Sequence, residues 1–341
     1  MIDQKIFSVS DSTISFPSAP IKDAASFEKK SASPSKIGAI SQRTSIRNMR
    51  NLLSSAPVLE PKGKYVGELQ EKWQFPSDHL PIGMTFSDLN IASWNVLDAH
   101  FMNWVTVENS QGLNRSLIAD EHVYIGDTRL TVRDKHVAKL VLEMVSHPTH
   151  PRSIISLQEC SREFIKELRS QLPSHFKIIA HRGDAVIIDK RLFDIKEVRA
   201  ESGVFSDEPR RAFQDILIQR KDNKELMRLI NIHLPGRKDK PGRFEFAQYI
   251  ARTFDPKRTT LVMGDMNFNE IEMSQALKQA FSNRSPFSVY SPYCTNIDPD
   301  HLESKSIDHF FVHSPDGSSV TLNAPEQIMS ELAPIVSLLN D

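Results

Sequence analysis

Cysteine is scarce in this 341-residue chain, which has two, Cys160 and Cys294. Two cysteines cannot build a disulfide framework, and their separation fits neither a redox pair nor a zinc knuckle, so a reducing, cytoplasmic setting is expected. A dominant charge sign is missing too. The 42 Lys and Arg stand against 43 Asp and Glu, a formal net charge of −1. That balance excludes a histone-like or polybasic nucleic-acid binder, because non-specific duplex affinity grows with the number of phosphates neutralised. A local basic groove stays open. No window reaches the roughly 18 apolar residues of a spanning helix. Met1–Phe7 also lacks the basic-then-apolar order of a signal peptide, although export by another route stays open. No internal repeat is visible.

Large apolar residues are sparse from Met1 to about Pro61, where Ser, Ala, Lys and Pro dominate and Ile46–Leu53 gives only a short helical hint. Such a segment cannot bury enough surface to offset its ordering entropy. Residues 1–75 are therefore expected to be a mostly disordered leader, and 76–341 a folded domain. Eight Lys and Arg against four Asp and Glu in the first fifty residues make the leader mildly basic, as a solvated tail or as an arm for an unknown partner. From Leu89 onward, strand-like runs (Ala185–Ile188, Phe213–Ile218, Met227–Ile232) alternate with helical spacings (Val132 to Met144, Phe164 to Leu172, Phe244 to Phe254). The pattern predicts a layered α/β chain.

Five strand patterns stop on a polar residue suited to phosphate or metal chemistry: Ile91–Asn95, Ile154–Glu159, Leu229–His233, Leu261–Asp265 with Asn267, and Ser306–Asp308. An apolar run that ends so places its polar group at a sheet edge, where a cleft can form. Each also has a structural reading. Gly264-Asp265-Met266-Asn267 is a common turn sequence in which the glycine lets the chain leave the strand sharply. Glu159 precedes Ser161, which begins a helical pattern, so its structural reading is a helix N-terminal acid. Asn95 can be a turn former, His233 a structural histidine and Asp308 a solvent-facing acid. Chemically, an ionised Asp265 can accept a proton from water, the Asn267 amide can donate to a phosphate oxygen, and Glu159 is a hard ligand of the kind Mg²⁺ prefers.

In this order, Ser93-Trp94-Asn95-Val96-Leu97, Leu157-Gln158-Glu159, Asn231-Ile232-His233-Leu234, Gly264-Asp265-Met266-Asn267 and Ile307-Asp308-His309 resemble the motifs of the endonuclease/exonuclease/phosphatase superfamily, the fold of DNase I. The resemblance runs from about Leu89 to Val336. It implies an α/β, DNase I-like four-layer α/β/β/α architecture, a two-sheet sandwich flanked by helices, with the site at one end. It further implies that Glu159, helped by Asn95, holds Mg²⁺ or Mn²⁺, and that Asp265 orients or deprotonates the attacking water. Asn267 and His233 would bind the scissile phosphate, and Asp308 would orient a catalytic histidine. Arg210 or Arg211 could add a planar fork to a phosphate.

The last family motif, Ser-Asp-His-x-Pro, is replaced by Ser330-Glu331-Leu332-Ala333-Pro334. Leu332 falls on the histidine and can neither bond to phosphate nor shuttle a proton. His301, His309 and His313 are the candidate substitutes, with His309 expected to point away from the face of Asp308. If Leu332 is the defect, Leu332→His with Glu331→Asp should raise the rate. The start at Trp94-Asn95 and the long stretch after it, with Trp104, Arg115, Tyr124, Arg129 and Arg133, are similar to deadenylase-type members and suit a nucleic-acid strand, or an ordinary insertion. The expectation is a metal-dependent phosphodiester hydrolase, a nuclease. Its alternatives are a pseudoenzyme serving as a binding module and a phosphomonoesterase or lipid phosphodiesterase.

Overall fold

β1 (Ile82–Phe86) and β2 (Leu89–Asn95) form a hairpin whose apolar residues are buried on both faces, as expected of strands covered on two sides. In the computed structural model the described residues are 77, 79–98, 132–206, 211–236, 241–291, 296–298, 303–323, 328, 331 and 332. The leader, the Ile46–Leu53 hint, Trp104, Arg115, Tyr124, Arg129, Arg210 and His301 lie outside them. β2 pairs in parallel with β3 (Ile154–Gln158), which continues through β5 (Asp184–Asp189) to β4 (Phe176–His181). With β14 (Val320–Asn323) against β1, the first sheet has the order β14-β1-β2-β3-β5-β4.

The second sheet has six strands in the order β10-β13-β9-β8-β7-β6. These are β6 (Phe193–Ser202), β7 (Ala212–Arg220), β8 (Leu226–His233), β9 (Thr259–Asp265), β10 (Ser288–Tyr290) and β13 (Asp308–His313). β11 (Asn296–Asp298) and β12 (Glu303–Lys305) make a small separate ribbon. β13 runs on from Asp308, so this acid opens a strand where the sequence pattern had it closing one. The reason is direction: β13 is antiparallel to β9, and its start lies beside the end of β9.

Three apolar layers explain the architecture. Ile82, Met84, Ile91, Ile154 and Val186 of the first sheet meet Ile216, Leu229, Leu261, Met263 and Phe310 of the second in the centre. Ala92, Trp94, Ile155 and Leu157, on the other face of the first sheet, pack against Val137, Leu140 and Val141 of α1 (Val132–Ser146) and Phe164 and Leu168 of α2 (Arg162–Gln171). Ile230, Ile232, Val262 and Phe311 take the same role toward Phe246 and Ile250 of α3 (Gly242–Thr253) and Met273 and Leu277 of α4 (Glu270–Ala280). The result is the expected DNase I-like α/β/β/α sandwich. α4 carries a capping box, with Asn269 accepting from Glu272 N–H and the Glu272 side chain accepting from Asn269 N–H. Among the described residues, no helix is long and apolar enough to cross a membrane.

Candidate active site

Strand register gathers the polar residues. His233 lies beside Asp265 in the parallel β8–β9 pair, and Asp308 lies beside Asp265 in the antiparallel β9–β13 pair. Laterally paired residues project to one face, so the three form a row across adjacent strands. On the other sheet Asn95 lies beside Gln158, and Glu159 follows directly. Asn95 joins the two sets: its Nδ2 donates to Glu159 Oε1 at 3.1 Å and to Asp265 Oδ2 at 3.0 Å, while its Oδ1 accepts the Leu97 N–H at 3.0 Å. Glu159 Oε2 accepts the Asp98 N–H at 3.3 Å. His233 Nε2 lies 3.6 Å from Glu159 Oε1 and 3.5 Å from Asp265 Oδ2.

Asn267 and Arg211 stand at the margin. Asp265 Oδ1 accepts the Asn267 N–H at 2.8 Å, and the Asn267 side-chain amide donates to Leu234 O at 2.8 Å. Arg211 Nη1 donates to His233 O at 3.0 Å and Leu234 O at 3.5 Å, bracing the end of β8. Backbone strain concentrates here. Leu97 (φ 58°), Glu159 (φ 56°) and Asn267 (φ 52°) are left-handed and follow β2, β3 and β9 within two residues. Such conformations cost on the order of 1 kcal/mol or more each and cluster where side chains are aimed at a ligand. Ser161 does cap α2, accepting from Phe164 N–H at 3.0 Å, so Glu159 lies just ahead of a capped helix and also in the site.

Two residues were missed by sequence reasoning. His79, 5% exposed, places Nδ1 2.9 Å from Asp308 Oδ2 and Nε2 3.7 Å from Asp265 Oδ2. It precedes β1 within Ser77-Asp78-His79-Leu80-Pro81, which spells the Ser-Asp-His-x-Pro pattern that was expected after Asp308; the motif was passed over because it stands at the start of the domain, ahead of the other five. Asp184, at the start of β5, is buried, and that burial pushes its carboxyl well up, with Arg211 opposing and Glu159 and Asp265 adding to the rise. Burial likewise pushes Asp265 up to about 7, with His79 opposing and Asp308 adding. Burial, and then Arg211, drives the His233 imidazole well below its ordinary value. An acid poised near neutrality beside a neutral imidazole suits proton transfer.

The other candidate histidines are elsewhere. His309 faces the opposite side, with Nε2 against Phe268 O at 2.8 Å, and His313 at the far end of β13 reaches Pro286 O and Pro256 O at 3.2 and 3.1 Å. Leu332 is buried in the helix-side core of the first sheet with Trp94, Leu80 and Ile328. Glu331 pairs with the buried Arg152 at 2.6 Å. Both positions have structural roles, which reverses the expectation that Leu332→His with Glu331→Asp would help.

The donor set fits a hard divalent cation. Glu159, Asp265 and Asp308 supply carboxylate oxygens, and the two buried acids raise a mutual electrostatic cost that a cation would relieve. His79, Asp265 and Asp308 also offer ligand atoms all within 4.8 Å of one another.

A two-sheet sandwich with carboxylates, imidazoles and amides gathered at one end is DNase I-like. Among solved structures, the chain resembles endonuclease/exonuclease/phosphatase family proteins. One such protein from Bacteroides vulgatus is 13% identical over 71% of this chain and 97% of that chain, with a TM-score of 0.46. The mannosyl-6-phosphatase of Bacteroides thetaiotaomicron is 17% identical over 66% and 85%, with a TM-score of 0.45. TDP2 of D. rerio, complexed with a single-strand DNA product, is 11% identical over 66% and 84%, with a TM-score of 0.43. Likenesses of this size concern fold alone. No protein-family model and no curated protein matches the sequence.

Proposed function

We propose that this protein is a metal-dependent phosphodiester hydrolase acting on nucleic acid. The observation that carries the reading is the convergence of Asn95, Glu159, His233, Asp265 and Asp308, from both sheets, around one amide that touches two carboxylates. Glu159, with Asn95, would hold Mg²⁺ or Mn²⁺, which when bound neutralises charge on phosphoryl oxygens. Asp265 accepts the proton of the attacking water as the water oxygen bonds to phosphorus and the bond to the leaving oxygen breaks; solvent protonates the product. The Asn267 N–H fixes one Asp265 oxygen, and Asn95 fixes the other. His233 and Asn267 line the phosphate position, His233 as a neutral imidazole. Arg211 adds positive charge at the rim. The nucleic-acid assignment rests on the motif resemblance and on the Arg- and aromatic-bearing stretch after Asn95.

The test is hydrolysis of labelled single-stranded RNA, single-stranded DNA, duplex DNA and a phosphomonoester with Mg²⁺, Mn²⁺ or EDTA. Cleavage of a nucleic acid is expected with metal, abolished by EDTA and lowered about 10²–10⁴-fold in Asp265→Asn. Folded protein that cleaves no nucleic acid would overturn the proposal, and cleavage of the monoester alone would move the substrate to that class.

A further inference from the structure

We infer that Asp184 reads the sugar next to the cleaved phosphate: its carboxyl accepts a hydrogen bond from a ribose 2′-hydroxyl, so that the site prefers RNA to DNA. The inference rests on the hydrolase reading above and names the substrate class of that same site.

Strand register puts Asp184 beside the site. Gln158 turns into the gap between the sheets, where its Nε2 donates to Asn231 Oδ1 at 2.8 Å. In the β3–β5 pair Leu157 lies opposite Ala185, which sets Asp184 opposite Gln158, and laterally paired residues project to one face. Asp184 therefore extends the Asn95–Gln158 rung by one strand spacing, about 5 Å. Across the gap, Asn231 Nδ2 donates to Ala185 O at 3.1 Å. One step beyond Ala185 and two beyond Asn231, toward the end of the sandwich that holds the site, stand Asp184 and His233. The carboxyl thus adjoins the phosphate position on the side away from Asp308.

The backbone fixes this position before a substrate arrives. Arg182 (φ 48°) and Gly183 (φ 89°) make the tight turn from β4 into β5. Cys160 N–H donates to Gly183 O at 2.6 Å, which fastens that turn to the segment carrying Glu159. A group held so costs little reorganisation when it binds.

What the carboxyl lacks is a partner. Asp184 is 5% exposed, yet among the described residues no hydrogen bond or ion pair ends on its oxygens. Arg211 attracts it only from a distance, with Nη1 engaged by His233 O and Leu234 O. Buried acids are paired as a rule, because an unpaired one costs free energy. At the edge of a cleft, such an acid calls for a donor brought by the substrate. Glu159 and Asp265 already add negative charge around it, so a second phosphate is repelled. A carboxyl accepts from a hydroxyl in either protonation state, and the 2′-hydroxyl is the donor that the backbone of RNA carries and that of DNA lacks. A site built around that bond rejects the analogue without it, since the buried acceptor is then left unpaired.

The test compares wild type, Asp184→Asn and Asp184→Ala on an RNA, on the DNA of the same sequence, and on that DNA with one ribonucleotide walked through every position. Wild type should favour RNA by about 10–10²-fold in kcat/KM, the worth of one hydrogen bond to an acid. A single ribonucleotide adjoining the cleaved bond should restore most of that difference. Asp184→Ala should lose the preference by lowering kcat/KM on RNA. Asp184→Asn keeps an acceptor oxygen, so it should retain most of the preference and melt no lower than wild type. Equal rates on RNA and DNA in wild type, or a preference untouched in Asp184→Ala, would overturn the inference. So would a lower Tm in Asp184→Asn, which would give the carboxyl a structural partner, or a preference lost in that variant and regained with raised Mn²⁺, which would make Asp184 a metal ligand.

Binding in EDTA separates this inference from the hydrolase reading. Fluorescence anisotropy of labelled RNA and DNA needs no turnover, and tighter RNA binding that weakens about 10-fold in Asp184→Ala would stand even if nothing were hydrolysed. Hydrolysis with no RNA preference in either rate or binding would leave the hydrolase reading intact and sink the role of Asp184.

Discussion

Gly264 sits inside β9 with φ 141°, and a Cβ there would lie 2.0 Å from Ile232 O and 3.2 Å from Gln158 Nε2. The sequence pattern suggested a glycine that lets the chain turn off the strand. Its place is instead one of contact, because β8 runs alongside with no room for a methyl group. Asp265, the next residue, owes its position to that close approach. Gly264→Ala should therefore fail at the level of folding, through both the left-handed φ and the backbone collision, with a stability loss above about 4 kcal/mol. The measurement is soluble yield and the thermal midpoint, and a variant that melts within a few degrees of wild type would show that β8 and β9 can separate here. At this scale the motif residues were legible, since Asn95, Glu159, His233, Asp265 and Asp308 do converge. His79 carried a signal too, Ser77-Asp78-His79-Leu80-Pro81, but it was passed over because the motif stands 229 positions before Asp308 instead of shortly after it.

Elements were legible where periodicity is strong and illegible where only partners decide. The apolar runs of β2, β3, β5, β7, β8 and β9 announce strands, and the spacings of α1, α2 and α3 announce helices. Short or exposed strands such as β6, half of it open to solvent, and β10 give no such run. How the two sheets sit against each other is set in part by contacts such as the one at the end of the sandwich away from the site. There Arg220, closing β7, reaches Asp88 in the β1–β2 turn at 2.7 and 2.9 Å and holds Asp222 of its own turn. Hydrogen bonding to Arg220 pulls the Asp88 carboxyl below its usual range and Asp222 down to about 2. A depressed carboxylate stabilises the fold above its unfolded value of 3.8, and that stability is lost as pH falls through the folded value. The denaturant midpoint should thus drop between about pH 4 and pH 2, modestly because both acids are largely exposed to solvent. Arg220→Gln should lower the midpoint at neutral pH and flatten that acid limb. An equally steep limb in the variant would assign it to other carboxylates.

For the molecule as a whole, the question is what keeps the two sheets in the alignment that brings Glu159 to Asp265. The central apolar layer supplies attraction without direction, and apolar contacts tolerate sliding. Direction comes from a buried polar network just beneath the site. Asn231 Oδ1 accepts from Ser156 Oγ at 2.6 Å and Gln158 Nε2 at 2.8 Å, and its Nδ2 donates to Leu157 O and Ala185 O at 3.1 Å each and to Gln214 Oε1 at 2.9 Å. Four of those five partners belong to the opposite sheet. Two motifs thus divide their labour: Gln158 and Asn231 lace the sheets, while the neighbouring Glu159 and His233 face the site. From sequence, period-two alternation tells which face a residue takes and never which residue waits across the gap, so the lacing could not be read. Asn231→Ala should leave Ser156, Gln158 and Gln214 short of partners in a dry interior, a loss of roughly 3 kcal/mol in stability. It should also lower kcat, because Glu159 is fixed through its neighbour Gln158. Urea titration and nuclease rates on the same preparation check both parts. A stability change below about 1 kcal/mol with unchanged kcat would mean that the apolar layer alone sets the alignment of the two sheets.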